Sequence, residues 1–243
     1  MKRGAIAAIC IAALLITSVS AYILDPCWGD DGGEEFVSPA GLFKLGFAKS
    51  DSWTEYVVVE DEAISGYAAS MPSLDDMYEC AKDWVWVPDR LLFDMEDLWL
   101  NPCEFLFSTP SMEQNPVQGT PASDCEEQAT ALTSLMRAYG VASENVRTVV
   151  GKIRVDDPES DRWWVAIHCW VEYYSEGAWV ALDPSPHQYW DTDAGELICQ
   201  NDLPFEYYRD VEYPVLEAWA YFNDTYYYTP LSDIGEYPAF WDD

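Results

Sequence analysis

Residues 123–140 constrain the fold of this chain more than any other stretch, because they predict a complete helix that opens with a cysteine. Asp124 suits the N-cap, and Glu127, three residues later, would complete a capping box. Gly140 is a typical residue just beyond a helix C-terminus, and Arg137 suits the negative end of the helix dipole. Apolar residues at three- and four-residue steps predict the buried face: Ala129, Leu132, Leu135, Met136 and Tyr139.

Cys125 falls in the first turn of this helix, outside the apolar face. The unpaired N–H groups and the positive dipole end of a helix N-terminus favour a thiolate over a thiol. The sequence therefore predicts a lowered pKa for Cys125 and marks it as a candidate nucleophile.

The amino-acid composition limits the kinds of partner that this protein can bind. The 243 residues contain 12 Lys plus Arg against 44 Asp plus Glu, a formal net charge of −32. Such a charge argues against nucleic acid and anionic lipid surfaces as partners. It fits a salt-adapted protein and equally a protein that is merely very soluble. The length suits one large domain, or one domain and a small appendage.

The N-terminus has the pattern of a signal peptide at residues 1–21. Lys2 and Arg3 precede an apolar run, and Val19 and Ala21 supply the small residues of a cleavage site. We therefore expect a secreted or extracellular protein without stable membrane insertion. The alternative is an uncleaved segment that anchors the chain to the membrane.

If the protein is exported, some of its seven cysteines can form disulfides. Cys10 would leave with the signal, Cys125 is assigned to chemistry and Cys169 to a buried strand. The four others could form two disulfides in three possible pairings: Cys27, Cys80, Cys103 and Cys199. No closely spaced cysteine pair and only two histidines are present, so we expect no structural zinc, no other metal and no cofactor.

The chain before the helix is less regular. Residues 30–35 read as an acidic loop, and residues 36–48 and 55–59 as strands. Residues 74–87 predict a helix that Pro88 ends, and residues 89–100 a short second helix. Three prolines and a glycine between residues 108 and 123 predict a loop that leads to Cys125.

Three strands are predicted after the helix, at residues 145–155, 161–174 and 178–182. Glu176 and Gly177 supply the turn between the last two strands. A helix followed by an antiparallel meander indicates an α+β fold.

His168 lies in the middle of the second strand and Asp183 at the end of the third. Adjacent antiparallel strands can bring the two side chains together. Taken alone, a strand histidine is usually structural and an aspartate before proline is usually a turn residue. Together with Cys125 they form the set that thiol catalysis needs: a nucleophile, a base and a carboxylate that orients the base.

These residues occur in motifs that resemble the transglutaminase-like superfamily, which includes transglutaminases and papain-like peptidases. The chain has Cys125 before an alanine- and leucine-rich helix that ends in Arg-Ala-Tyr-Gly, then His-Cys-Trp-Val-Glu from His168, then Trp-Val-Ala-Leu-Asp-Pro ending at Pro184. The segment 99–102, Trp-Leu-Asn-Pro, is similar to one that often precedes the cysteine helix in the family. One departure is Ser123, where many relatives have glycine.

The resemblance implies a papain-like core that carries a Cys125–His168–Asp183 triad. It implies a domain at residues 73–195, after an N-terminal segment at 22–72, with an aromatic-rich extension at 196–243 that packs on the core. The implied activity is thioester chemistry on peptide or protein amides, by a protease, an amidase or an acyltransferase. The second oxyanion donor is open between Trp99 and Gln118.

Two other interpretations of the sequence stand beside this one. A protein with this fold could be a binding or structural module with weak or no activity. A calcium-assisted enzyme would rest on residues 191–196 alone, and this stretch lacks the full pattern of an EF-hand loop. Tyrosine and tryptophan in the C-terminal extension could form a stacking surface or pack on the core.

Overall fold

The computed structural model describes residues 53–156, 162–200 and 202–242. The expected signal peptide, the acidic loop at 30–35, the strand at 36–48, Cys10 and Cys27 lie outside the described residues. Within them the fold is α+β, as predicted, with helices on one face of an antiparallel sheet. No helix of the described residues is long and apolar enough to cross a bilayer.

In the described part of the chain, four α-helices precede the main sheet. They are α1 (Glu62–Ala69), α2 (Leu74–Ala81), α3 (Asp89–Phe93) and α4 (Cys125–Tyr139). Single turns of 3₁₀-helix lie at Trp53–Tyr56, Thr109–Ser111, Ser143–Asn145, Tyr207–Arg209 and Ala239–Trp241, and a π-helical turn lies at Glu104–Ser108. Asp61 caps α1 and Ser73 caps α2 through side-chain hydrogen bonds to backbone N–H groups.

The described residues contain ten strands, which form two sheets. They are β1 (Val85–Trp86), β2 (Ala122–Ser123), β3 (Val146–Asp156), β4 (Trp163–Ser175), β5 (Ala178–Leu182), β6 (Gln188–Asp191), β7 (Glu196–Cys199), β8 (Val215–Phe222), β9 (Tyr227–Thr229) and β10 (Ile234–Glu236). The main sheet has the order β10-β9-β8-β3-β4-β5, and the smaller sheet has the order β2-β1-β6-β7.

The predicted meander is confirmed. Strands β3, β4 and β5 are antiparallel neighbours, with Val150 opposite Cys169 and Val171 opposite Leu182. The turn is at Glu176 and Gly177, both with positive φ, which a two-residue hairpin turn of this kind requires.

Three predictions upstream of α4 are wrong in their bounds or type. Residues 55–59 are not a strand, because the first two belong to a 3₁₀ turn and the other three have no regular secondary structure. The helix predicted at 74–87 ends at Ala81, and the β-branched and aromatic residues after it form β1, which pairs in parallel with β2. The helix predicted at 89–100 ends at Phe93, since Asp94 adopts a left-handed conformation with φ 56°.

Helix α4 lies at the centre of the protein. Its side chains from Glu126 to Met136 are all buried, on the polar as well as the apolar face. The predicted stripe is inside except for Tyr139, whose hydroxyl donates to the Pro72 carbonyl. A helix buried all round needs partners for its polar groups. Thr133, for example, shares a hydrogen bond of 2.8 Å with Thr148 of β3.

The C-terminal extension joins the main sheet. Strand β8 pairs with β3, and the last described turn packs over β3 and β5. Arg147 of β3 holds this region together: its guanidinium lies 3.9 Å from the ring centroid of Trp179, is ion-paired with Glu172 and donates to the Trp241 carbonyl. The aromatic residues here pack against one another and against this cation.

The predicted pair of disulfides is wrong in this structure. Two bridges among the four assigned cysteines require at least one bridge without Cys27, yet Cys80, Cys103 and Cys199 are all free thiols. Cys169 is buried, as expected for its place on the helix-facing side of β4.

Candidate active site

The start of α4 is built around Cys125, the first residue of the helix. Asp124 precedes it in extended conformation and joins β2 to the helix. The Cys125 side chain is half-buried. Its Sγ donates a hydrogen bond to Glu126 Oε2, at 3.3 Å, and lies close to the backbone N–H of Cys169 on β4. The nucleophile candidate therefore lies directly over the main sheet.

The β4–β5 hairpin brings His168 and Asp183 together. Val171 pairs with Leu182, so Asp183 leaves β5 beside the stretch of β4 that contains His168. Their side chains meet at 2.9 Å, between His168 Nε2 and Asp183 Oδ2, and both are buried. An ionised Asp183 accepts from Nε2–H, which leaves Nδ1 as the basic nitrogen of a neutral imidazole.

The structure thus brings His168 and Asp183 into direct contact and places Cys125, the third predicted catalytic residue, close to them. Cys125 contacts Cys169, the neighbour of His168 along β4. Within the described residues its thiol makes no hydrogen bond to His168, and its hydrogen donor goes to Glu126. Catalytic hydrogen bonds are often longer in the absence of substrate.

Asp183 is held by more than the histidine. Ser185 Oγ donates to its Oδ1 at 2.6 Å, and Tyr213 OH donates to its Oδ2 at 2.8 Å. Burial alone would raise the pKa of Asp183, but the charge of His168 and the hydrogen bonds from His168, Ser185 and Tyr213 lower it below its usual value. Asp183 is therefore ionised at neutral pH, as an orienting carboxylate must be.

A second buried pair supports the backbone of Asp183. Tyr78 of α2 donates to the Asp183 carbonyl at 3.0 Å, and its hydroxyl lies 3.2 Å from His187 Nε2. The packing of α2 and of the segment after β5 thereby fixes the position of the carboxylate.

Sequence reasoning missed Tyr213, Ser185 and Tyr78. Ser185, two residues after an aspartate, is a weak turn signal that could have been noticed. Tyr213 and Tyr78 come from distant parts of the chain, 30 and 105 residues from Asp183. Their contacts depend on tertiary packing and have no local signature.

Five acidic side chains cluster beside Cys125, and we call them the carboxyl cluster: Asp89, Asp97, Asp124, Glu126 and Glu127. Their oxygens form overlapping groups of three within 4.8 Å of one another. Asp124 Oδ1 and Glu127 Oε2 are buried and have no hydrogen-bond partner among the described residues. Hard oxygen ligands of this kind suit calcium, and the cluster is the candidate cation site of the described chain.

The carboxyl cluster replaces the predicted capping box. Asp124 occupies the N-cap position, but its side chain makes no capping hydrogen bond. Glu127 accepts instead from the Leu100 N–H, at 2.9 Å. The capping-box prediction is therefore wrong, because both carboxyl groups turn into the cluster and away from the helix terminus.

The prediction of a lowered pKa for Cys125 is also wrong. Burial raises the pKa of this thiol, and the adjacent carboxyl groups of Glu126 and Asp124 raise it further. Burial likewise raises the pKa of Glu127, and it raises that of Asp89 to about 6. The field of several close carboxyl groups therefore outweighs the helix dipole at this position.

The two oxyanion candidates differ in their surroundings. The Gln118 amide donates to the carbonyls of Met112 and Asn115 within its own loop. Trp99 packs on Trp53 and precedes Leu100, whose N–H reaches Glu127 at the start of α4. Position therefore favours Trp99 over Gln118 as the residue beside the nucleophile.

The acidic stretch at 191–196 is a hairpin turn between β6 and β7. Asp191 Oδ1 accepts from the N–H groups of Asp193 and Ala194, both at 2.9 Å. An aspartate that folds back on its own turn in this way accounts for the composition of the stretch.

The family comparison agrees with the motifs. Residues 108–184 match the sequence model of the transglutaminase-like superfamily. No curated protein sequence matches the chain. Among solved structures, calcium-bound LapG of Legionella pneumophila is similar at 15% identity with a TM-score of 0.41, covering 73% of this chain and 79% of LapG. The EGTA-treated form is similar at 14% identity with a TM-score of 0.41, covering 74% and 90%.

Proposed function

We propose, because residues 108–184 match the sequence model of the transglutaminase-like superfamily, that the protein is a cysteine protease or related thiol acyltransferase that acts on peptide amides. The observation that carries the proposal is the buried contact of 2.9 Å between His168 and Asp183, formed beside a cysteine at the start of a helix. Secretion, which the N-terminal residues suggest, is part of the same proposal.

In the proposed reaction Cys125 Sγ attacks the carbonyl carbon of an amide. His168 Nδ1 takes the thiol proton and returns it to the leaving nitrogen, so the C–N bond breaks and a thioester forms. Water or a second amine then attacks the thioester and regenerates the thiol. Asp183 keeps Nε2 protonated and so holds the imidazole in the tautomer that acts as base.

One feature of the structure supports this sequence of steps, and a second must change before the thiol proton can pass to His168. The backbone N–H of Cys125 lies at a helix N-terminus, where it can stabilise the oxyanion. The Cys125 side chain is directed to Glu126, so it must turn about its Cα–Cβ bond to pass its proton to His168. Substrate that displaces the Glu126 contact would favour that turn.

The carboxyl cluster supports a second proposal, that the protein binds calcium next to its active site. Glu127 is 1% exposed, and one of its oxygens has no partner among the described residues. Asp89, Asp124 and Glu127 would supply part of the ligand set. A bound cation would offset their mutual repulsion and supply positive charge near Cys125.

The experiment for the thiol mechanism traps the acyl-enzyme. The full chain is incubated with a library of N-acetylated heptapeptide amides, quenched in acid and mapped by mass spectrometry. We expect an acyl group on Cys125, lost in Cys125→Ala and retained in Cys199→Ala, the control at an exposed thiol. Hydroxylamine as acceptor separates acyl transfer from simple hydrolysis. Absence of any acyl group on Cys125 would leave the binding-module interpretation.

A further inference from the structure

Three apolar side chains are exposed in a row on β4, and we call them the β4 platform: Trp163, Val165 and Ile167. They are 52%, 45% and 53% exposed. Alternation along the strand puts them on the same face as Cys169 and Val171, which are buried under α4. The apolar face of β4 therefore continues beyond the helix that covers the rest of it.

The β4 platform begins where Cys125 lies. Helix α4 crosses the sheet with Thr133 against Thr148, which is the cross-strand partner of Val171. Its first residue lies over Cys169, two residues from Ile167. From Ile167 to Trp163 the strand then runs about 13 Å further, at about 3.3 Å per residue. The nucleophile thus stands at one end of an exposed apolar row.

The backbone edge beside the β4 platform is open in the described chain. The pair Ser175 and Ala178 closes the hairpin, so every second residue of β4 directs its N–H and C=O towards β5. The same set includes Cys169, whose N–H reaches Cys125, and continues through Ile167 and Val165. Strand β5 ends opposite Val171, so within the described residues no strand pairs with this part of the edge.

Within the described residues, the two cations on β3 opposite the β4 platform are each paired with a carboxylate, in a chain of net charge −32. Opposite Ile167 and Val165 on β3 lie Lys152 and Arg154. Lys152 pairs with Glu217 at 3.0 Å, and Arg154 pairs with Asp156 at 2.6 Å. Each of these two cations is therefore offset by a carboxylate, so these positions add no net negative charge that would repel an approaching peptide.

We propose that the β4 platform is the substrate-binding surface of the enzyme, and that it takes an extended peptide with apolar side chains at alternate positions. The peptide adds as a strand to the open edge of β4, with its backbone on the free N–H and C=O groups. Its apolar side chains cover Ile167 and Val165, about two and four residues from the amide that reaches Cys125. This inference rests on the proposed function and names its substrate class.

Binding is tested apart from chemistry, with full-length Cys125→Ala. The probes are fluorescein-labelled heptapeptides with Val, Leu, Phe or Tyr at alternate positions and Ser between them, and an all-Ser peptide of the same length is the blank. We expect anisotropy to report binding of an apolar probe and not of the blank. Ile167→Ser should weaken binding about 10-fold, because a buried apolar contact is lost.

Ile234→Ser is the matched control, since Ile234 on β10 is 52% exposed and lies at the far edge of the main sheet. It should leave binding unchanged. Val165→Ser repeats the test at a second position, and thermal melting of each variant confirms that it folds. Equal effects at Ile167 and Ile234, or no binding of any probe, would overturn the proposal.

The role of the backbone edge is tested on the peptide. N-methylation removes a hydrogen-bond donor at one residue and leaves the side chains intact. Methylation of the amides that face β4 should abolish binding, and methylation of the alternate amides should not. If both sets are tolerated, the strand-addition mode is wrong.

The two proposals fail in different ways. Probe binding that depends on Ile167, without acylation of Cys125 in the wild type, would reject the thiol mechanism and keep the peptide surface. Acylation of Cys125 that is unchanged in Ile167→Ser and Val165→Ser would keep the mechanism and reject the surface.

Discussion

Tyr213→Phe tests the support of the catalytic carboxylate. The Tyr213 hydroxyl donates at 2.8 Å to Asp183 Oδ2, the oxygen that also accepts from His168. A hydrogen bond to a charged group contributes about 1.5–3 kcal/mol. Phenylalanine keeps the ring and its packing, so we expect the free energy of unfolding at pH 7 to fall by about 2 kcal/mol. For a chain of this size this lowers the melting temperature by about 4–8 °C.

Tyr208→Phe is the control for this substitution. Tyr208 is buried and packs edge-on against Tyr213, with ring centroids 4.8 Å apart, but its hydroxyl has no hydrogen-bond partner among the described residues. Removing an unsatisfied buried hydroxyl is neutral or stabilising. The two variants therefore change the same atoms in the same cluster, and only one of them removes a bond to Asp183.

The effect of Tyr213→Phe depends on pH in a definite direction. The folded-state pKa of Asp183 is lowered by His168, Ser185 and Tyr213 against the opposing effect of burial. Stability from such a carboxylate is present above its unfolded pKa of about 3.9 and is lost as pH falls through the folded pKa. The difference between wild type and Tyr213→Phe should be constant from pH 5 to 7 and shrink below pH 4.

Urea unfolding of wild type, Tyr213→Phe and Tyr208→Phe at several pH values measures the loss in the free energy of unfolding and its dependence on pH. The rate of Cys125 acylation should fall in Tyr213→Phe and not in Tyr208→Phe, because the imidazole is held less firmly. Equal stability losses in the two variants, or a loss that does not change with pH, would refute the reasoning.

Further predictions concern the sheet, the carboxyl cluster and the surface. A Cβ at Gly151, opposite His168, would lie 2.3 Å from the Glu217 carbonyl oxygen. Gly151→Ala should therefore lower the free energy of unfolding, measured in urea, by more than about 2 kcal/mol. Gly66→Ala is the control and should not lower it, because nothing lies within 4 Å of a Cβ at that position. Calcium at millimolar concentration should raise the melting temperature by several degrees, and Glu127→Gln should remove most of that gain; the same gain in the variant would exclude the cluster as the site. Added sodium chloride should raise the melting temperature by screening the −32 charge, and a flat response up to molar salt would show that self-repulsion is unimportant.

The parts of the fold that the sequence predicts well depend on local patterns. Helix α4 and the strands β3 to β5 have strong periodicity, a glycine stop and a two-residue turn, and their observed bounds lie within two residues of the expected ones. The antiparallel hairpin then determines the His168–Asp183 contact, since register follows from the turn. The short apolar run at residues 82–87 fits a helix or a strand equally well, so its sequence does not distinguish the two. Only pairing with β2 decides in favour of the strand.

The surroundings of Cys125 could not be predicted from the sequence, because the electrostatic field at its thiol comes from residues that are brought together only by tertiary folding. Asp124, Glu126 and Glu127 are visible beside it, and at a helix start such residues normally cap the helix or face water. Asp89 arrives from α3, 36 residues upstream, and closes the group on a buried side. Burial then turns an ordinary acidic helix start into a set of competing carboxyl groups.

The same burial explains why the nucleophile and the carboxyl cluster should be considered together. Carboxyl groups that raise the pKa of Cys125 oppose the thiolate that the mechanism needs, while Asp183 on the other side is tuned to stay ionised. Protons or a cation must neutralise the cluster before the helix dipole and His168 can favour the thiolate. If Glu127→Gln raises the acylation rate in the absence of calcium and makes it insensitive to calcium, the cluster controls the nucleophile. If it leaves both unchanged, the cluster is a structural feature and activation of Cys125 depends on His168 alone.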